Sequence, residues 1–305
     1  MAADEMRVQL ESGPLAARKK ATVAAVRIWR GLPLDEQGEF VRLLHGLWNV
    51  PFYNGKLSRA RRVAETLRRK GVVEGRVALQ AEGLLALGIC DLGEGSLSSA
   101  IARLELSKAL FSSTGKNQVD EVRASFPLGS AYRLQGDHKS ARALLSRART
   151  VCLAIEEPSL LASVSLNLGS TFLESGDLES ALSCYHFTAH SSPLMDSPMR
   201  ALRGKLGMAI ANVRIGNLAQ ASDLADEAIA LARKLASPRE EGQGHEYRSC
   251  SYILTDQPLE VLRSSARAFR CARRVSIHSD APIELHRWLA EFWIERDHPR
   301  YAALH

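Results

Sequence analysis

The residues best placed for metal chemistry are in Cys184-Tyr-His186-Phe-Thr-Ala-His190. Two histidines at i and i+4 share one face of a helix, the spacing of a zinc-binding pair, but neither a third nor a fourth ligand can be named. The simpler reading is therefore a half-exposed helix face, and no metal is assigned. A second constellation is basic. Arg263, Arg267, Arg270 and Arg274 recur at i, i+4, i+7 and i+11, and Arg59, Arg61 and Arg62 with Arg68, Arg69 and Lys70 form another run. Such stripes suit phosphates, but no nucleic-acid motif or aromatic interleaving accompanies them. They read first as solvated helix faces, and nucleic acid is a disfavoured partner.

Catalytic signatures are missing. The sequence has no GxxxxGKS/T phosphate loop, no GxGxxG after a strand, no GxSxG elbow and no HExxH. The expectation is a protein that is not an enzyme and needs no cofactor. Cys90, Cys152, Cys184, Cys250 and Cys271 are odd in number and form no CxxC pair, which reads as reduced, buried small hydrophobes.

These side chains must be positioned by helices. The 305 residues are 46% hydrophobic but only 6% aromatic, a composition suited to helices packed through Ala, Leu and Gly. The net charge of +6 is mild for this length. Arg outnumbers Lys, a bias carried by GC-rich bacterial coding sequences. No apolar run approaches the roughly 18 residues a membrane helix needs, and Met1-Ala-Ala-Asp-Glu-Met lacks the basic region of a signal peptide. A cytoplasmic protein without a membrane partner is expected.

The chain repeats itself. Gly55, Gly95, Gly136, Gly176 and Gly216 are separated by 40, 41, 40 and 40 residues, and Asp256 follows 40 later. Five positions after each lie Ala60, Ala100, Ala141, Ala181, Ala221 and Val261; seven before lie Trp48, Gly88, Gly129, Gly169, Ala209 and Ser249. Apolar spacing is helical throughout, with no period-2 alternation. Each unit therefore reads as helix A, a glycine turn and helix B, and the whole as an all-α solenoid. Helix A is predicted at 39–53, 79–93, 119–134, 159–175, 200–215 and 241–254. Helix B is predicted at 57–70, 97–112, 138–153, 178–190, 218–235 and 258–275. Pro127 should kink or shorten its helix. Residues 237–244, Ser-Pro-Arg-Glu-Glu-Gly-Gln-Gly, are the most loop-like interior stretch.

Leu168-Gly169-x-x-Phe172, Gly176-Asp-Leu-x-x-Ala181 and Tyr185 resemble the tetratricopeptide repeat. So do Leu87-Gly88 with Gly95-x-Leu97-x-x-Ala100, and Leu128-Gly129-x-x-Tyr132 with Gly136-Asp, Ala141 and Ala148. The longer period places extra residues near Gly115-Lys-Asn and Ser191-Ser-Pro-Leu. The stretches Phe40–Leu67 and Leu84–Leu110 are similar to the long-period repeats that follow the NTPase module in bacterial signalling ATPases and adenylate cyclases. The resemblance implies a right-handed superhelix in one domain over 1–305. Its repeats would be 39–78, 79–118, 119–158, 159–199, 200–240 and 241–280, flanked by partial ones at 1–38 and 281–305.

The resemblance also implies a groove lined by the A helices that takes a peptide or partner domain. Carried over by position, its residues are Arg42, His45, Asn49 and Tyr53; Glu82 and Ile89; Arg123, Phe126, Ser130 and Arg133; Asn167, Ser170 and Glu174; and Arg203 and Arg214. The carboxylate clamp of chaperone-binding members is incomplete, because Ala86 replaces its second Asn and Phe126 and Ser130 spoil the other register. The arginines suit carboxylates or phosphates of an extended peptide, since the guanidinium fork fits both. The expected function is a regulatory protein-interaction scaffold. The alternative is a sensor segment of a signalling NTPase, cyclase or transcriptional regulator. The last helix, with Trp288, Leu289, Phe292, Trp293 and Ile294, lacks a following partner helix. Part of it is expected to face empty space, inviting a continuation of the chain or a second copy.

Overall fold

A computed structural model describes Trp48 and residues 56–114, 118–191, 198–274 and 283–303. The expected helix over 39–53 with Arg42, His45, Asn49 and Tyr53, the turn at Gly55 and the N-terminal half-repeat lie outside the described residues, apart from Trp48. So do most of the positions assigned to extra residues near 115 and 192.

The described residues form α1 (Leu57–Val73), α2 (Val77–Gly93), α3 (Leu97–Ser113), α4 (Gln118–Leu134) and α5 (His138–Ala154). Then follow α6 (Pro158–Glu174), α7 (Leu178–Ser191), α8 (Pro198–Ile215), α9 (Leu218–Lys234), α10 (Pro238–Leu254) and α11 (Pro258–Ala272). Two shorter helices, α12 (Ile283–Ile294) and α13 (Pro299–Ala302), close the series. No strand occurs among the described residues. The fold is all-α, built of consecutive helix hairpins. The chain divides into two compact units, one up to Leu160 and one from Leu161. In the first, each helix from α1 to α5 packs on the next, and α2 also touches α4. In the second, α7 through α11 pack in succession, α8 touches α10, and α12 rests on α10 and α13.

The turn chemistry explains the hairpins. Gly176 has φ +84°, a conformation that costs glycine little. The Asp177 N–H reaches back to the Phe172 carbonyl at 2.9 Å, satisfying a carbonyl that the ending helix leaves open. Asp177 then caps α7 by accepting the Ser180 N–H at 3.2 Å. Where the sequence offers Asp256 instead of glycine, that residue takes φ +54°, which a short polar side chain tolerates.

Small residues allow the helices to meet. Ala60, Ala100, Ala141, Ala181, Ala221 and Val261 are all completely buried. A Cβ on Gly169 would stand 2.9 Å from the Tyr185 ring, so glycine here is a requirement of close approach. Cys90, Cys152, Cys250 and Cys271 are buried thiols, and Cys184 is half-buried.

Three sequence expectations are corrected. Pro127 does not shorten its helix: α4 starts at Gln118 and runs through the buried proline to Leu134. The loop-like stretch is helical from Pro238: the helix predicted over 241–254 begins three residues earlier. Pro238 occupies the first turn, where its missing N–H costs nothing, and Glu240 and Glu241 favour the positive helix end. Gly242 and Gly244 read as loop residues in sequence, yet they let α10 approach its neighbours. A Cβ would lie 3.1 Å from Cys271 Cβ at the first and 2.6 Å from Ile229 Cγ1 at the second.

The third correction concerns α12. Leu285, Leu289, Phe292 and Trp293 do not face empty space; all four are buried in one cluster with Val261 and Ala268. Each such side chain contributes about 1.5–3 kcal/mol of burial. The short α13 supplies cover, its Tyr301 ring lying 5.3 Å from the Trp293 ring. Ile294 alone of the expected apolar set is largely exposed.

Candidate partner-binding face

In the first unit, α2 carries Glu82 and α4 carries Asp120, Arg123, Phe126, Ser130 and Arg133. Glu82 is completely buried, so it lines no open surface, contrary to the expectation. Its Oε1 accepts the Trp48 Nε1–H at 3.0 Å. Arg123 Nη2 donates to both Glu82 oxygens, at 3.1 and 2.9 Å, and Nη1 donates to Asp120 Oδ1 at 3.0 Å. Burial alone would lower the Arg123 pKa, but the two carboxylates outweigh it and hold the pKa above its usual value. The Arg123 side chain is only 11% exposed. Arg123 was expected to offer its charge to a peptide; it is instead spent within the protein, because a carboxylate one repeat away is aimed at it. Phe126, Ser130 and Arg133 are half-buried, and Ile89 packs partly into the apolar clusters of this unit.

In the second unit the corresponding helices are α6, α8 and α10. Arg203 on α8 donates through Nε and Nη2 to Glu240 Oε1 on α10, at 3.1 and 2.9 Å. Burial pushes the Glu240 carboxyl up, and the Arg203 charge together with the Ser237 hydroxyl more than offsets it, so the pKa stands below normal. The Arg203 side chain keeps 33% exposure. Arg214 is exposed at the end of α8, where Nη1 donates to the Leu173 carbonyl at 3.1 Å. Asn167 is half-buried and its Nδ2 donates to the Ser163 carbonyl at 2.9 Å. Arg200 Nε donates to Ser163 Oγ at 3.2 Å. Ser170 accepts the Tyr185 hydroxyl at 3.1 Å, and Glu174 is exposed.

Asn167, Ser170, Arg203 and Arg214 therefore fall on successive A helices of one unit and remain partly open. Arg200, Glu240 and Ser237 complete the arrangement, and sequence reading missed them. A signal was there: opposite charges about one repeat apart, Glu82 with Arg123 and Arg203 with Glu240, mark pairs on adjacent A helices.

Two histidine groups lie apart from these arginines. The His186 and His190 rings stack 3.9 Å apart, and His190 Nδ1 lies 2.9 Å from the His186 carbonyl oxygen. Among the described residues no group of three or more His, Cys, Asp or Glu could hold a metal ion. His245 on α10 is buried, and burial with the nearby Arg233 charge pulls its pKa down to about 4. Arg233 Nη2 approaches its Nε2 at 3.4 Å, and Nδ1 finds no hydrogen-bond partner among the described residues.

The small residues after each turn and the helix pairs joined through positive-φ turns point to one repeat family, whose pattern matches residues 120–186. These residues are tetratricopeptide repeats. No curated protein matches the sequence. Among solved structures, the chain is similar to a Rap protein complexed with competence and sporulation factor, at TM-score 0.70 and 14% identity. The match covers 98% of this chain and 80% of that one. It is also similar to NprR in complex with its cognate peptide NprX, at TM-score 0.65 and 11% identity, covering 99% of this chain and 85% of that one. A third is the Rap conjugation gene regulator of plasmid pLS20 in complex with the Phr* peptide, at TM-score 0.61 and 17% identity, over 87% and 73%. These likenesses establish a tetratricopeptide-type fold. No helix among the described residues is long and apolar enough to cross a membrane.

Proposed function

We propose that this protein is a non-catalytic, regulatory interaction scaffold that takes an extended peptide or partner segment along the A helices of its second unit. The observation that carries the reading is the line Asn167, Ser170, Arg203 and Arg214. These are polar side chains on successive A helices that keep open surface while their backbones are held by packed hairpins. Arg214 and the exposed part of Arg203 would meet carboxylates of the peptide, and the Asn167 amide would meet its backbone. The tetratricopeptide family and the peptides bound by the Rap and NprR structures support this choice over catalysis. A preformed helical scaffold spends little free energy on ordering itself when a flexible segment binds.

Selection from a displayed random-peptide library tests the proposal. The intact chain should enrich a consensus containing acidic positions, and Arg214→Glu should lose it while the thermal midpoint stays put. Failure to enrich any consensus, or one unchanged in the variant, would refute the site.

A further inference from the structure

The arginines of α11 differ from those of the A helices. Arg263, Arg267 and Arg270 are exposed on the helix, with Arg273 and Arg274 exposed just beyond it. Arg263 pairs with Glu260 at 2.6 Å, but that pair lies open to solvent and contributes little. No described acidic residue forms an ion pair with Arg267, Arg270, Arg273 or Arg274. The other basic run is largely spent: Arg61 is held by Asp91 and Glu94, and Arg68 and Arg69 share Glu65.

Beside these charges runs an apolar ridge. Leu259 is 68% exposed and Leu262 48%, and Ala266 continues their line at spacings of three and four. That is the seam spacing of paired helices, with Arg263 and Arg270 at positions flanking the seam. The opposite face, formed by Val261, Ser264, Ser265, Ala268 and Cys271, is buried. The ridge ends at Phe269, which is half-buried with its ring 4.6 Å from that of His286.

We propose that the exposed face of α11 docks an acidic amphipathic helix of a partner protein, whose apolar seam covers Leu259, Leu262 and Ala266 while its carboxylates face Arg263, Arg267 and Arg270. The charge and the spacing select this occupant together. A second helix has the same rise of about 1.5 Å per residue, so its carboxylates keep step with the arginines. A phosphate backbone would satisfy the arginines and leave two leucines in water. A lipid surface needs a broader apolar face than two leucines and an alanine. A second copy of this same face would set arginine against arginine, which repels. This surface is separate from the A-helix line, so either assignment can fail alone.

The test is fluorescence anisotropy on the full chain with four probes. These are a peptide with leucines at alternating three- and four-residue spacing flanked by glutamates, its scrambled counterpart, a single-stranded oligonucleotide, and phosphatidylserine vesicles. The ordered acidic peptide should bind best. Arg267→Glu/Arg270→Glu should weaken it by roughly tenfold or more, the scale of about 1.4 kcal/mol, at an unchanged thermal midpoint. Leu259→Ser/Leu262→Ser should weaken it comparably, an independent check should the charge variant fold poorly. Equal binding of the scrambled peptide, tighter binding of the oligonucleotide or vesicles, unaltered binding by both variants, or no binding at all would overturn the proposal.

Discussion

Arg123 and Arg203 hold comparable places on A helices, yet the two units use them differently. Arg123 meets two carboxylates, Glu82 and Asp120, and is 11% exposed; its main partner Glu82 is completely buried and also takes the Trp48 indole N–H. Arg203 donates to Glu240, which also accepts the Ser237 hydroxyl, and a third of the arginine side chain remains exposed. An arginine on such a face is available to a partner only to the degree that neighbouring helices leave it unneutralised. The first unit has turned its basic position into a structural tie, and the second has kept part of one as a surface.

Removing each arginine separately should affect the two units unequally. Arg123→Ala should destabilise the first unit by about 3–5 kcal/mol, because Glu82 is left buried without its counter-charge. Hydrogen exchange should show the loss across α2 and α4. A chain as stable as the parent would mean that the buried tie is not what separates the units.

Steric packing offers a control in the second unit that involves no charge. A Cβ on Gly207 would lie 2.3 Å from Tyr185 Cδ1, so Gly207→Ala should cost roughly 1–3 kcal/mol in urea unfolding as the ring is displaced. An unaffected midpoint would show that Tyr185 yields freely, and the close approach at Gly169 would lose its force as well.

Acid should separate the units next. His245 is held neutral in the folded second unit, with its pKa lowered from 6.5 to about 4. The unfolded chain therefore binds the proton first as pH falls through 6.5. The stability tied to neutral His245 is present above that value and is lost progressively toward pH 4, at up to about 1.4 kcal/mol per pH unit. In the first unit the described histidine, His138, is only half-buried. Urea unfolding at neutral and mildly acidic pH should show the slope in the parent and a flatter one in His245→Leu; equal slopes would contradict the assignment.

The smallest effects belong to the open arginines. Arg203→Ala should cost less than Arg123→Ala, about 1–2 kcal/mol, because Arg203 is partly exposed and Ser237 still donates to the buried Glu240 carboxylate. Arg214→Glu should stay within about 0.5 kcal/mol of the parent in thermal unfolding. A cost for Arg203→Ala equal to that for Arg123→Ala would erase the difference between the units.

Much of the fold was legible because local rules carried it. Glycine or aspartate at the turn, a capping aspartate such as Asp177, and alanine five residues on are each readable within one hairpin. The reading failed where a residue's local preference was overruled by what lay across from it. Gly242 and Gly244 suggested a loop and serve as contact points, and Pro127 is carried inside a continuous helix. The large apolar groups of α12 found cover from α11 and from the short α13, contacts that the composition of α12 alone does not show. At the candidate site, residue types were legible and availability was not. Glu82, Arg123 and Arg203 were all singled out, but nothing in one helix says whether a guanidinium faces a carboxylate or water.

Backbone preferences readable in the sequence determined the helix hairpins and the turns at Gly95, Gly136, Gly176, Gly216 and Asp256. Those properties depend on backbone conformation and helical period, which nearest neighbours along the chain specify. The tertiary structure alone decided which charges are neutralised, because ion pairing depends on distances between helices roughly 40 residues apart in sequence. The availability of an arginine to the proposed partner therefore depends less on the arginine itself than on the carboxylates that reach it.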